Sequence, residues 1–249
     1  MPTRRTVVLG IAAMPVVLST TGSFAQSSLT GDTISTSEGD VIIHPVGHAS
    51  LVLQWGEHVI YVDPAKQDFS GLPAPTGILI THEHGDHFDG PSLEKIAGDK
   101  AAIMTNEAVA AMLPASLKAR ALPIKNGGSG ELDGIFIAAV PAYNYTEARK
   151  QYHPQGRDNG YVLTLGDKKI YIAGDTEDTP EMRALTGIEV AFLPMNLPYT
   201  MSVEQAADAV KAVKPKIVYP YHYQGSDVET FKQLVGDAAE VRLAEWYPK

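Results

Sequence analysis

The chain has 249 residues, of which 44% are hydrophobic and 20% are charged, proportions that suit a folded domain of enzyme size. Its formal net charge of −9 at pH 7 argues against a nucleic acid or an anionic membrane surface as the main partner. The absence of cysteine from the sequence excludes disulfides and thiolate metal ligands, so any metal must bind to His, Asp and Glu side chains.

The N-terminus carries the features of an export signal. The twin arginine Arg4 and Arg5 precedes an apolar run from 7 to 18, and small residues lead to Ala25. This run is shorter than the roughly 20 residues that span a bilayer, so no stable membrane anchor is expected after cleavage. Residues 3–9 resemble a twin-arginine signal, with a general secretory signal or a buried helix of the mature fold as alternatives. We expect cleavage after Ala25 and a periplasmic or secreted protein.

The predicted signal covers residues 1–25. After it we expect a flexible polar segment at 26–40 and one folded domain at 41–249. Within the domain, short β-rich runs alternate with segments of helical spacing. The predicted strands are 41–46, 49–55, 58–63, 77–82, 134–140, 161–166, 168–174, 190–195 and 216–221, and the predicted helices are 92–99, 106–113 and 202–213. Ser202 is a suitable N-cap for the last helix. This order predicts two layers of sheet covered by helices.

An internal repeat supports two similar halves. Residues 51–63 (LVLQWGEHVIYVD) align without gaps with residues 161–173 (YVLTLGDKKIYIA). Each copy reads as a β-hairpin whose second strand ends beside an acid, Asp63 in one and Asp175 in the other. Chance similarity between two hairpins is the alternative. A true repeat predicts two facing halves, with a site where the strand ends converge.

The stretch 81-THEHGDH-87 contains the strongest chemical motif. A strand would deliver His82 and His84 with one residue between them, and alternate residues of an extended chain share a face, so two imidazoles can meet one ion. Asp86 and His87 follow a turn at Gly85 and suit a second ion. Imidazole and carboxylate ligands favour zinc, iron or manganese.

These residues resemble the HxHxDH signature of the metallo-β-lactamase fold superfamily. The resemblance runs from about 42 to 201 and again over 219–223, with Asp63, Asp175 and His222 in the order that the superfamily uses. It implies an α/β fold, a four-layered αββα sandwich, with two divalent metal ions, zinc first and manganese or iron as alternatives. The ligands it implies are His82 and His84 for one metal, Asp86, His87 and His222 for the other, and Asp175 bridging both. Asp63 would hold the histidine loop by hydrogen bonds.

One position departs from the superfamily pattern. A further histidine for the first metal is expected just past the strand at 134–140, where this chain has Tyr143 and Asn144. The nearest histidine is His153. We favour His153 folding back to complete the first site; alternatively Asn144 serves as a weak oxygen ligand, or the first site is under-coordinated and one metal binds firmly.

The segments 47-GHASLVL-53, 174-GDTEDTPEM-182 and 198-PYTMSVEQAA-207 resemble the ascorbate-6-phosphate-lactonase-like branch. His48 and Tyr199 are predicted to line the substrate pocket, with a packing role as the alternative for each.

The implied function is a metal-dependent hydrolase in which a metal-bound hydroxide cleaves a small ester, lactone, amide or phosphoester. Asp86 or Asp175 would orient the nucleophile and return a proton to the leaving group. The expected partner is therefore a small-molecule substrate and not a nucleic acid. The alternatives are an iron-dependent oxidoreductase of the same fold and a catalytically weak periplasmic metal-binding protein.

Overall fold

The computed structural model describes Met1 and residues 29–247. The predicted export signal, apart from Met1, lies outside the described residues, so its interpretation stays a prediction. Within the part of the chain that the structure describes, no helix is long and apolar enough to cross a membrane.

The described chain forms two seven-stranded sheets and five α-helices. The first sheet contains β1 (Asp32–Thr36), β2 (Gly39–Gly47), β3 (Ser50–Trp55), β4 (His58–Val62), β5 (Gly77–Leu79), β6 (Ala102–Thr105) and β7 (Ala121–Pro123). The second contains β8 (Ser129–Leu132), β9 (Ile135–Ala142), β10 (Asp158–Leu165), β11 (Lys168–Ile172), β12 (Val190–Pro194), β13 (Ile217–Tyr221) and β14 (Glu240–Val241). The helices are α1 (Gly90–Ile96), α2 (Glu107–Met112), α3 (Pro180–Arg183), α4 (Val203–Val213) and α5 (Val228–Val235).

The two sheets share one topology. In each, the first four strands pair antiparallel in chain order and the last four pair parallel. The repeated hairpins also share their register, because Val52 lies opposite Tyr61 in the first and Val162 lies opposite Tyr171 in the second. The internal repeat is therefore a repeat of structure.

Successive side chains of the repeated strands point alternately to the two faces of each sheet, and this places them in different layers of the fold. Leu53 and Leu163 point between the sheets into one central core, whereas Val52 and Val162 point outward under the helices. The outer core of the first sheet includes residues of α1 and α2, and that of the second includes residues of α3, α4 and α5. Successive strand residues face opposite sides of a sheet, so a buried sheet with both faces covered needs apolar residues at every position. The predicted four-layered αββα sandwich is confirmed.

Two expectations about elements need correction. The segment 26–40 was expected to be flexible, but β1 at Asp32–Thr36 pairs with β2 and buries Ile34. Its polar residues face solvent while backbone hydrogen bonds tie it to the sheet, so composition alone was misleading. The predicted strand 77–82 ends at Leu79, because the chain leaves the sheet before the histidine loop. Ser202 caps α4 as expected, accepting a hydrogen bond from the Gln205 amide at 3.1 Å.

Candidate metal centre

Three histidines meet at one side of the site. His82 and His84 leave β5 on the loop that precedes α1, and His82 Nε2 lies 3.1 Å from His84 Nδ1. His153, on the loop between β9 and β10, brings a ring nitrogen to within 4.8 Å of both. His82 and His153 are fully buried. The structure therefore brings His153 beside His82 and His84, and its role as the third ligand stays a prediction.

A second group lies beside the first. Asp86 and His87 from the histidine loop meet His222, which directly follows β13, and ligand atoms of these residues and of His48 all lie within 4.8 Å of one another. His48 was expected to line the pocket; it does so, and its Nε2 also lies 3.0 Å from Asp86 Oδ2.

Asp175 faces both groups. Its Oδ2 lies 3.5 Å from His153 Nε2 and 3.3 Å from His222 Nε2, and its Oδ1 lies 3.3 Å from His87 Nε2. Two ligands of a tetrahedral zinc ion, each about 2.1 Å from it, are separated by about 3.4 Å. These spacings fit donors that share an ion.

Unpaired buried atoms give the strongest indication of a metal. Among the described residues, four atoms that face this cluster are buried without a hydrogen-bond partner: His87 Nε2, His153 Nε2, His222 Nε2 and Asp175 Oδ1. Most buried polar atoms have a partner, and an ion is one of the few explanations for a convergent exception. The residues present therefore fit a metal.

Asp63 binds the histidine loop through hydrogen bonds. Its carboxylate accepts hydrogen bonds from the Thr81 amide and hydroxyl, both at 2.7 Å, and lies 2.7 Å from His87 Nδ1. The Nδ1–H of His87 then donates to Asp63, which leaves Nε2 free to face the cluster.

A matching support for His153 was not predicted. Asp158 Oδ2 lies 3.0 Å from His153 Nδ1, and both side chains are buried. Arg157 binds the same carboxylate through Nε at 2.6 Å and Nη2 at 2.9 Å, and its Nη1 lies 2.7 Å from Glu83 in the histidine loop. The adjacent opposite charges in 156-GRDN-159 were the available signal.

Asn144 anchors the loop that carries His153. Its backbone amide donates to the His153 carbonyl at 2.8 Å, and its side-chain Nδ2 donates to the carbonyls of Arg149 and Tyr199 at 3.1 and 2.7 Å. Its Oδ1 has no partner among the described residues and stays a candidate for the ligand role that the sequence left open.

Electrostatics favour the metal-binding protonation state at three of the clustered residues. Burial lowers the pKa of His82 well below its ordinary value and also lowers the pKa of His84, so both are neutral at pH 7. Burial works in the opposite direction at Asp175, but His222 and His87 hold the pKa of this carboxyl well below its usual range. Neutral imidazoles beside an ionised carboxylate are the forms that bind a metal. His87 differs, because burial lowers its pKa but Asp175 and Asp63 outweigh burial and raise that pKa well above its ordinary value, so this ring would release a proton when a metal binds.

Three site residues have left-handed backbone conformations. The φ angles are 55° at His48 and 45° at both Asp63 and His222. Non-glycine residues in this region cost of order 1–3 kcal/mol each and persist where the surroundings hold them. The His222 amide donates to the His48 carbonyl at 2.9 Å, which fixes two of the three positions together.

The two groups form the floor of an open cleft of about 900 Å³. His48, His153 and Tyr199 line it, and 45% of the Tyr199 surface is exposed. The structure therefore places His48 and Tyr199 at this cleft, and their contact with a substrate stays a prediction.

A family model described as a beta-lactamase superfamily domain matches residues 43–222, a span that includes all the clustered residues. The chain belongs to this superfamily. The resemblance noted in the sequence is confirmed.

Similar proteins within the superfamily show which family this chain belongs to. A UPF0173 metal-dependent hydrolase of Pyrococcus abyssi is 37% identical over 216 residues, covering 79% of this chain and 92% of the relative. The chain thus belongs to the UPF0173 metal-dependent hydrolases, and the prediction of an enzyme of this superfamily is confirmed.

Solved structures similar to this chain support the same fold and class of enzyme. A Parabacteroides distasonis protein assigned to the metal-dependent hydrolases is 41% identical, with a TM-score of 0.82, covering 88% of this chain and 100% of that protein. Igni18, a metallo hydrolase of Ignicoccus hospitalis, is 25% identical with a TM-score of 0.68, covering 82% and 94%. These neighbours support the fold and the class of enzyme, and they leave the substrate and the metal unassigned.

Proposed function

We propose that this superfamily member binds two divalent metal ions, zinc first, and hydrolyses a small ester, lactone, amide or phosphoester. The observation that carries the proposal is that buried histidine nitrogens without hydrogen-bond partners converge on Asp175, whose Oδ1 also lacks a partner among the described residues. A cleft of about 900 Å³ suits a small molecule, because such sites usually measure about 300–1,000 Å³.

Each residue has a defined role in this proposal. The metal ligands would be His82, His84 and His153 on one side, Asp86, His87 and His222 on the other, and Asp175 between them. When bound, the metals supply Lewis-acid polarisation of the substrate and a lowered pKa for water.

The protein's own groups fix the geometry. Asp63 and Asp158 each bind the outward nitrogen of a histidine, so that His87 and His153 present only Nε2 to the cluster. His48 lies 3.0 Å from Asp86 and holds that carboxylate, of which 48% is exposed, at the floor of the cleft.

Asp86 lies in the cluster and is accessible from the cleft. Burial raises its pKa, but hydrogen bonds from His222 and His48 outweigh burial and hold this pKa well below its usual range, so the carboxylate is ionised. Hydrolysis adds the oxygen of water to the acyl or phosphoryl centre as the bond to the leaving group breaks. Asp86 would accept the proton from water and return it to the leaving group. Asp175, nearly fully buried, would orient the nucleophile.

A panel of chromogenic substrates tests the proposal. Wild-type protein loaded with zinc should hydrolyse at least one of a 4-nitrophenyl ester, a lactone, an anilide and bis(4-nitrophenyl) phosphate. His82→Ala should reduce that turnover by at least about 10³-fold, because the cluster loses a buried ligand.

His58→Ala is the matched control, since His58 lies in the β3–β4 hairpin and binds Asp133 at 2.8 Å, away from the cleft. Full activity of His82→Ala would refute the site. Iron in the purified protein, with no hydrolysis of any substrate, would favour the oxidoreductase alternative.

A further inference from the structure

Among the described residues that line the cleft, Lys66 is the one lysine or arginine. It stands on the loop that follows β4, three residues after Asp63. Its ammonium lies 3.4 Å from the position that a Cβ would take at Gly85. The ammonium therefore lies over the histidine loop beside Gly85, whose neighbours in the chain, His84 and Asp86, belong to the two proposed metal sites.

The charge of Lys66 is available to a ligand. Among residues 29–247, Lys66 donates no hydrogen bond and forms no salt bridge, whereas Lys125, Lys150 and Lys168 each pair with an acid. Hydrogen bonds from Ser92 and, more weakly, the nearby charge of Lys66 lower the pKa of Asp89. The Asp89 carboxylate is not paired with Lys66, because it caps α1 by accepting from the Ser92 amide at 2.9 Å.

The remainder of the cleft is consistent with an anion. The other charged residues that line it are Asp86 and Asp175, both in the proposed ligand set. Two dications outweigh two carboxylates, so the floor would carry the same sign as Lys66. The whole chain has a formal net charge of −9, so with both proposed metal ions bound this cleft would be a local positive field on an acidic protein. Such a field concentrates anions at the site.

Neutral donors and aromatic rings complete the surroundings. Three side-chain amides line the cleft, those of Gln67, Asn196 and Gln224. Tyr152 and Tyr199 form one wall, with ring centroids 5.0 Å apart. This combination suits an organic anion whose apolar part lies against the rings.

We propose that the substrate carries an anionic group, a carboxylate or a phosphate, close to its scissile bond, and that Lys66 binds this group. The proposal rests on the hydrolase function proposed above and names the substrate class of that site. Lys66 acts in recognition and orientation, and the bond that breaks is the ester, amide or phosphoester bond already described.

A matched pair of esters tests the substrate class. We compare 4-nitrophenyl acetate, which is neutral, with the mono-4-nitrophenyl ester of glutaric acid, which carries a free carboxylate. Wild-type protein should prefer the anionic ester. Lys66→Met should lower the ratio of kcat/KM for the anionic ester to kcat/KM for the neutral ester by about tenfold, mainly by raising KM for the anionic ester. Lys66→Arg should recover most of the ratio, and raising the ionic strength should reduce it in the wild type.

Lys95→Met is the matched control, because Lys95 is an exposed lysine of α1 that does not line this cleft. It should leave the ratio unchanged. An equal ratio in wild type and Lys66→Met would overturn the proposal, as would an equal loss in Lys95→Met.

Binding separates this inference from the hydrolase proposal. We titrate zinc-loaded wild type and zinc-loaded Lys66→Met with inorganic phosphate and with glutarate in a calorimeter. The anion that resembles the charged group of the substrate should bind Lys66→Met at least tenfold more weakly than it binds wild type. The anion with the larger loss identifies phosphate or carboxylate as the preferred group. If no ester is hydrolysed but this difference in binding is found, the hydrolase proposal fails and the anion site stands. If both proteins bind both anions equally, the anion site fails whatever the turnover.

Discussion

A histidine directs one ring nitrogen to a metal only if its other nitrogen is fixed, and this protein fixes two of its clustered histidines with buried aspartates. Asp63 holds His87, and Asp158 holds His153. The HxHxDH motif made the first pair predictable, since the resemblance includes Asp63. The second pair was not predicted, because the fold-back of His153 was favoured only from the missing histidine, and the adjacent charges of Arg157 and Asp158 do not by themselves show which residue Asp158 supports.

Asp158→Asn should lower the affinity for one of the metal ions by about 10–100-fold, the usual effect of losing a carboxylate behind a ligating histidine. The amide keeps the shape of the side chain but gives up the charge that Arg157 and His153 share. Competition with a chromogenic chelator measures the affinity.

Asp133→Asn is its control, because Asp133 also binds a histidine, His58 at 2.8 Å, but lies outside the cluster. Equal metal affinity in wild type and Asp158→Asn would contradict the orienting role. Thermal unfolding of the metal-free proteins separates a lost ligand orientation from a lost fold.

At the scale of elements, the repeated hairpins explain why so much of the fold was readable. A run of apolar residues at successive positions marks a strand that is covered on both faces, and such runs occur in β3–β4 and β10–β11 alike. β1 was missed because its only deeply buried apolar residue is Ile34, and backbone pairing with β2 leaves no mark in the composition.

Leu163→Ala should destabilise the protein by about 2–5 kcal/mol, since it removes a fully buried side chain from the core between the two sheets. The free energy of unfolding in urea measures this. Leu122→Ala is the same substitution at a residue that is 40% exposed in β7, and it should cost much less. Equal losses from the two substitutions would contradict the assignment of Leu163 to the central core.

At the scale of the molecule, the site belongs to both halves. The first sheet leads to His82, His84, Asp86 and His87, and the second leads to His153, Asp175 and His222. Asp63 and Asp175 follow the equivalent strands β4 and β11, yet one supports a histidine and the other faces both groups. The repeat predicted that the strand ends converge. Which acid takes which role depends on contacts between the halves, such as the hydrogen bond from the His222 amide to the His48 carbonyl at 2.9 Å.

The central claim is that two metal ions bind on either side of Asp175. A crystal structure of the zinc-loaded protein, with an anomalous difference map measured at the zinc edge, tests it most directly. We predict two peaks, one bound by His82, His84 and His153 and the other by Asp86, His87 and His222, with Asp175 touching both. A single peak, or two peaks with His153 Nε2 outside bonding distance of either, would contradict the account.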